Sequence, residues 1–148
     1  KRLTCEEVLE LLKQAENSFS PPLSHNIPYT LHEYAEKLAS NAMFVICLDQ
    51  GKTIGFMAYY INLEGKFSYI PQIWVSDLYQ RKGIGTSMIH ELICSVPSEI
   101  RSIRLEVRES NLKAFSFYNK SGYVLINKDK DKCLMEKIIN LFNLWKVY

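Results

Sequence analysis

Residues 80–85, Gln80-Arg81-Lys82-Gly83-Ile84-Gly85, join an apolar run that ends at Val75 to a helical pattern that begins at once after them. Two glycines one residue apart let the backbone curl tightly with its N–H groups turned inward, and the following helix adds the positive end of its dipole. That arrangement is a cradle for an anion, most naturally a phosphate or pyrophosphate. Arg81 and Lys82 lie in the turn and bring charge to the same oxygens. A dinucleotide-binding turn would need a third glycine where this chain has Met88, and a nucleoside-triphosphate loop would need a Gly-Lys-Ser/Thr ending that is missing. The competing reading of the same residues is a glycine turn that only reverses the chain.

A second stretch, Leu105-Glu106-Val107-Arg108-Glu109-Ser110-Asn111, leads through Ala114 and Tyr118 to Gly122-Tyr123. Asn111, Ala114 or Phe115, and Tyr118 fall at spacings that share one face of a short helix. Glu106 either pairs with Arg104 or Arg108 on a wet strand face or is available to take a proton. Tyr118 is either a core aromatic beside Phe115 and Phe117 or a functional group.

The Gln-x-x-Gly-x-Gly pattern of Gln80, Gly83 and Gly85 resembles the acetyl-CoA pyrophosphate motif of the GNAT superfamily of N-acyltransferases. The second stretch resembles the other signature region of that superfamily. It is most similar to the enzymes that acetylate the N-terminal alanine of a ribosomal protein, with their Leu-Glu-Val-Arg-x-Ser-Asn run, a tyrosine seven residues on, and a glycine-aromatic ending. Together the two stretches cover residues 69–123 in the family's order and separation.

The resemblance implies an α/β (α+β) fold with a mixed central sheet flanked by helices, and a parallel strand pair splayed at the acetyl-CoA site. It implies acetyl-CoA as co-substrate and a primary amine as acceptor. Pantetheine, which carries amides, would pair like an added strand with the backbone of Ile73, Trp74 and Val75. The pyrophosphate would rest on Gln80, Arg81, Lys82, Gly83, Ile84, Gly85 and Thr86, with Asn111 and Tyr118 also at the cofactor. Acetyl transfer needs a neutral amine, a polarised carbonyl and a proton for the departing thiolate. In the resembled enzymes a glutamate on the strand serves as base and the helix tyrosine as acid, and Glu106 and Tyr118 match those positions. One departure is Gln72, where many of these enzymes place a glutamate; it can orient an acceptor or water but cannot take a proton. In the N-terminal half the likeness is less specific, with residues 21–42 closer to small bacterial acetyltransferases of surface-sugar pathways. The acceptor therefore stays open between an amino sugar or other small amine and a peptide N-terminus. The alternative is a non-catalytic acyl-CoA-binding or regulatory domain.

The elements that must position these residues follow from pattern. The chain has 148 residues, enough for one domain over residues 1–148. Its 18 basic and 16 acidic side chains leave a net charge of +2, which argues against nucleic acid or membrane as a partner and for a discrete small-molecule site. No signal core or bilayer-length apolar run is present, so a cytoplasmic location is expected. Cys5, Cys47, Cys94 and Cys133 are scattered, without a CxxC or a histidine at ligand spacing, so no metal site is expected and the thiols read as reduced and mostly buried.

Thr4 and Glu7 form a capping box for an amphipathic helix that runs to about Asn17. Residues 18–28, with three prolines, read as an ordered loop; Thr30 caps a second helix that ends near Asn41. Residues 44–48, 53–61 and 67–75 read as three antiparallel strands in a meander, in the last of which Pro71 removes a backbone donor. After the glycine turn, Ile84, Met88, Ile89, Leu92, Ile93 and Val96 make a helical stripe that Pro97 stops. Residues 101–107 alternate as a strand parallel to 67–75; 111–120 form a short helix closed by Gly122; and 123–126 and 134–139 are two strands joined by a solvated charged loop. Leu141, Phe142, Leu144 and Trp145 make the tail apolar enough to pack on the domain or, as a homodimer, on a second copy.

Overall fold

The computed structural model describes residues 1–18 and 23–139. The expectations for residues 19–22 and for the apolar tail, 140–148, lie outside them. The chain divides into two compact units, Lys1–Tyr60 with Gln72–Cys94, and Ile61–Pro71 with the residues from Ser95 on.

In the first unit, α1 (Cys5–Ala15) starts at the expected capping box: Thr4 Oγ1 accepts from the Glu7 amide at 3.2 Å and the Thr4 amide donates to Glu7 Oε2 at 2.8 Å. The chain then makes a 3₁₀ turn (Glu16–Ser18) and a single helical turn, α2 (Leu23–Asn26), within the segment expected to be loop. Ser24 accounts for that turn, since its amide and hydroxyl both donate to the Glu16 carboxylate. α3 (Leu31–Asn41) is capped by Thr30, as the sequence predicts. The buried faces of α1 and α3, Val8, Leu12, Tyr34, Ala35 and Leu38, join Phe44, Phe56, Ala58 and Trp74 in one core. Strands β1 (Met43–Asp49) and β2 (Lys52–Asn62) form the expected hairpin, with a register shift at Cys47/Leu48. β2 is buried on both faces from Ile54 through Tyr59, so apolar cover lies on each side of it. Strand β3 (Phe67–Val75) alternates throughout, burying Ser68, Ile70, Gln72 and Trp74. Helix α4 (Ile84–Ser95) follows the glycine turn and lies over Gly55, where an added Cβ would be 3.0 Å from the Trp74 carbonyl and 3.5 Å from Ile84 Cγ2.

In the second unit, β4 (Ser102–Arg108) runs parallel to β3, from Phe67 opposite Ser102 to Ile70 opposite Leu105. That register ends at the residue before Pro71, whose nitrogen has no hydrogen to donate. Helix α5 (Leu112–Lys120) follows, then β5 (Val124–Asp129) and β6 (Lys132–Ile138), which pair antiparallel with each other and, through β6, with β4. The six strands among the described residues form one mixed sheet in the order β1-β2-β3-β4-β6-β5, the class the sequence predicts. No described helix is long and apolar enough to cross a membrane.

Two expectations are corrected. The charged segment 127–132 is not an open loop: Asn127, Lys128 and Asp129 pair with Leu134, Cys133 and Lys132, which leaves only a tight turn at Lys130 and Asp131. Backbone pairing continues because the charged side chains point to solvent and still find partners, Lys128 Nζ meeting Glu109 Oε2 at 2.6 Å. Of the cysteines, only Cys133 is fully buried; Cys5 and Cys47 are half-buried and Cys94 is exposed.

Asp131 ties this turn to the start of α5. Its carboxylate accepts from the Ser110 hydroxyl at 3.0 Å and amide at 3.1 Å, and meets Arg108 at 3.5 Å. The Ser110 hydroxyl, followed by its amide and Arg108, holds the carboxyl below its ordinary range. A depressed folded-state pKa means stability that is complete above the unfolded value near about 4 and lost as pH falls through the folded value. Asp131→Asn should therefore show a shallower loss of Tm below about pH 4 than the native chain in thermal melts across acid pH; an equal slope would contradict this account.

Candidate active site

The glycine turn is built by the end of β3. Ser76, just after the strand, donates its amide to the Ile54 carbonyl at 2.8 Å, and a 3₁₀ turn (Asp77–Tyr79) swings the chain out. Tyr79 anchors that turn, its hydroxyl donating to Asp49 Oδ2 at 2.6 Å, while Lys82 Nζ lies 5.3 Å from the centre of its ring. Arg81 and Gly83 both adopt left-handed backbone, φ 63° and 80°, and α4 closes its first bond from the Ser87 amide to the Gly83 carbonyl at 2.9 Å. Gly83 has no side chain to cap the helix. Unlike α1 and α3, whose first turns carry Glu6, Glu7 and Glu33, α4 has no acidic residue in its own. Among the described residues, the amides of residues 81–86 have no hydrogen-bond partner. The helix end is thus an uncompensated positive pole, worth about 0.3–1 kcal/mol toward an anion and up to about 2 in a partly buried geometry.

Gly85 adds a second sign. An added Cβ there would meet nothing within 4 Å, and its φ is not left-handed, so neither packing nor backbone conformation demands a glycine. A glycine in a helix costs about 0.5–1 kcal/mol against alanine. Space kept open above an unpaired row of amides fits a phosphate group. Gln80 plays another part: its Nε2 donates to the Val75 carbonyl at 3.2 Å and to Asp77 Oδ1 at 3.3 Å, so its amide braces the turn. Arg81, Lys82 and Thr86 are exposed, and Ile73, Val75 and Ile84 are half-buried. Trp74 is buried, 5.9 Å from the Phe56 ring, with its indole N–H unpartnered among the described residues. Gln72 is also buried and accepts from the Tyr34 hydroxyl at 3.3 Å.

The second unit carries Glu106, Asn111 and Tyr118. Glu106 is exposed on β4 opposite Leu134. The arginines that sequence offered as its ion-pair partners are engaged elsewhere, Arg104 with Glu136 at 2.7 Å and Arg108 with Asp131. Among the described residues, the Glu106 side chain has no hydrogen bond or salt bridge. Asn111 caps α5, its Oδ1 accepting from the Ala114 amide at 3.2 Å, so its side-chain carbonyl is already occupied. Tyr118 is buried between two rings inclined edge-on to it at 70° and 72°, Phe117 at 5.2 Å and Tyr123 at 5.3 Å, and burial pushes its phenol up to about 12. Sequence pattern marked Tyr123 only as the aromatic that follows Gly122. In the structure its hydroxyl is buried and unpartnered among the described residues, and burial with the neighbouring Tyr118 drives its pKa upward. The helix end sets this pair: with Gly122 at φ 93°, its amide donates to the Asn119 carbonyl and the Tyr123 amide to the Tyr118 carbonyl. This Schellman cap fixes the Tyr123 ring against Tyr118.

The model of the acetyltransferase (GNAT) family matches residues 6–123, and the chain belongs to that family. No curated protein matches it in sequence. Among solved structures, it is similar to the PaiA N-acetyltransferase of Thermoplasma acidophilum in complex with coenzyme A, at 22% identity over 94% of this chain and 97% of that one, with a TM-score of 0.74. It is similar to the ribosomal-protein-S18-alanine N-acetyltransferase of Escherichia coli at 20% identity over 95% and 93%, TM-score 0.72. NAA60 of Arabidopsis thaliana, in complex with a bisubstrate analogue, matches at 19% identity over 95% and 97%, also with a TM-score of 0.72. At these identities the likenesses establish the fold.

Gly85→Ala separates a cofactor cradle from a plain turn. The methyl group should leave Tm unchanged or higher while weakening coenzyme A in a calorimetric titration by roughly tenfold or more, about 1.4 kcal/mol. An unchanged affinity would contradict the cradle.

Proposed function

We propose that this chain moves the acetyl group of acetyl-CoA to a primary amine by direct attack, without an acyl-enzyme intermediate. The observation that carries the reading is the row of unpaired amides at residues 81–86 beneath the open space at Gly85. Here Gly83, Ile84, Gly85 and Thr86 offer N–H groups to the pyrophosphate, Arg81 and Lys82 add charge, and Gln80 holds the turn. The pantetheine amides pair with the backbone of Ile73, Trp74 and Val75, and Asn111 caps the helix that carries Tyr118.

In the reaction the amine nitrogen forms a bond to the acetyl carbon as the carbon–sulfur bond breaks. Glu106, without a competing cation, takes the proton that the ammonium must lose, directly or through water. Tyr118, raised to about 12 by burial, keeps its proton at any ordinary pH and donates a hydrogen bond to the departing sulfur. A thiol, at about 8.5, is the stronger acid, so the phenol stabilises the thiolate and the proton that neutralises sulfur is made good by the one the new amide nitrogen sheds. The acceptor is a small amine, an amino sugar among them, or a peptide N-terminus. The ribosomal-protein-S18-alanine N-acetyltransferase among the similar structures keeps the peptide N-terminus in view.

The test is thiol release from acetyl-CoA against amino sugars, polyamines, amino acids and short peptides. One acceptor class should turn over, and Tyr118→Phe should cut kcat by about 10²-fold or more. Glu106→Gln should lower the rate most at neutral pH and recover as pH rises through the pKa of the amine, because the acceptor then arrives already neutral. Coenzyme A binding with no turnover on any acceptor would favour a regulatory acyl-CoA-binding domain instead.

A further inference from the structure

The N-terminal helices bring together three side chains that the acetyl-transfer account leaves unused. Cys5 is the first residue of α1, and His32 and Glu36 lie one turn apart on α3. A thiol sulfur, an imidazole nitrogen and a carboxylate oxygen from these residues all lie within 4.8 Å of one another, and His32 Nδ1 is 3.4 Å from Glu36 Oε1. Rigid elements hold them: capping bonds from Thr4 and Thr30 fix both helix starts, and Val8, Leu12, Ala35 and Leu38 lock α1 and α3 into the same core. Sequence spacing concealed the group, because Cys5 lies far from His32 along the chain and only the helix packing unites them.

The chemistry of the set is specific. Thiolate, imidazole and carboxylate together suit a borderline metal ion such as zinc, whereas calcium and magnesium take oxygen ligands alone. The surroundings point the same way. The carboxylates of Glu36 and Glu6 add negative charge beside Cys5. That negative field, which disfavours a bare thiolate, favours a divalent cation, whose binding deprotonates the sulfur in turn. Tetrahedral zinc with arms of about 2.0–2.3 Å needs ligand atoms about 3.5 Å apart. His32 and Glu36 are well exposed and can close the remaining distance by rotating about their side-chain bonds.

We propose that Cys5, His32 and Glu36 form a zinc site that joins α1 to α3, with a water molecule in the fourth position. Bound metal stabilises the folded chain, since the unfolded chain does not hold the three ligands together. The site takes no part in the acetyl transfer described above and stands or falls independently of it.

Cobalt(II) reports both ligand type and geometry. Cys94 lies 3.6 Å from His90 Nε2 on α4 and could bind cobalt by itself, so the titration is done in Cys94→Ser. One equivalent of cobalt(II) should produce a near-ultraviolet sulfur-to-metal charge-transfer band with intense visible bands of tetrahedral form, and zinc should displace it. Cys5→Ser in that background should lose the charge-transfer band. His32→Ala, an exposed change that leaves the core intact, should lose saturation at one equivalent. Zinc should raise Tm in the Cys94→Ser protein, with the rise reversed by a chelator and missing in both further variants. Absence of the charge-transfer band, its survival in Cys5→Ser, or saturation unchanged in His32→Ala would each overturn the proposal.

Discussion

The structure turns on one unsatisfied helix end. Helix α4 begins at a glycine that cannot cap it, carries no acidic residue in its first turn, and leaves the amides of residues 81–86 without partners among the described residues. Elsewhere in the same unit the chain satisfies such ends carefully, with Thr4 and Glu7 on α1 and Thr30 on α3. The exception is deliberate in its surroundings. Ser76 bonded to Ile54, Tyr79 to Asp49, and Gln80 to Val75 and Asp77 brace the turn that carries these unpaired amides. Preorganised donors of this kind bind an anion without first having to be ordered.

Burial divides the labour among the remaining groups. Tyr118 is enclosed by Phe117 and Tyr123, which keeps its phenol neutral and its ring fixed. Glu106 stays exposed on β4, free of the arginines on either side because Glu136 and Asp131 engage them. In the proposed transfer, a hydrogen-bond donor shielded from water at the sulfur and a proton acceptor open to water are the two environments the reaction asks for. Gln72, buried and bonded to Tyr34, has become part of the packing of the first unit, in keeping with a side chain that cannot titrate.

Much of this was legible in the sequence because the signals are local. The bounds of β3, the Thr4 and Thr30 caps, the glycine turn and the parallel entry of β4 all follow from short-range pattern. What escaped was tertiary. The six-residue charged segment at 127–132 looks like a loop by composition, yet β6 templates its backbone and shortens it to a turn. Asn111 has the spacing of a site residue, but its side chain serves as a helix cap. Tyr123 gained its place beside Tyr118 through a left-handed Gly122 that pattern marked only as a helix stop. Cys5 meets His32 and Glu36 only once α1 packs on α3.

The central claim, that the α4 amides are the phosphate-binding element, is tested most directly by following backbone amide resonances of the ¹⁵N-labelled chain as ligand is added. Coenzyme A should move the amides of Gly83, Ile84, Gly85 and Thr86 most, and pantetheine, which lacks the phosphates, should leave those four near their free positions. Equal shifts with both ligands, or coenzyme A shifts centred away from α4, would contradict the account.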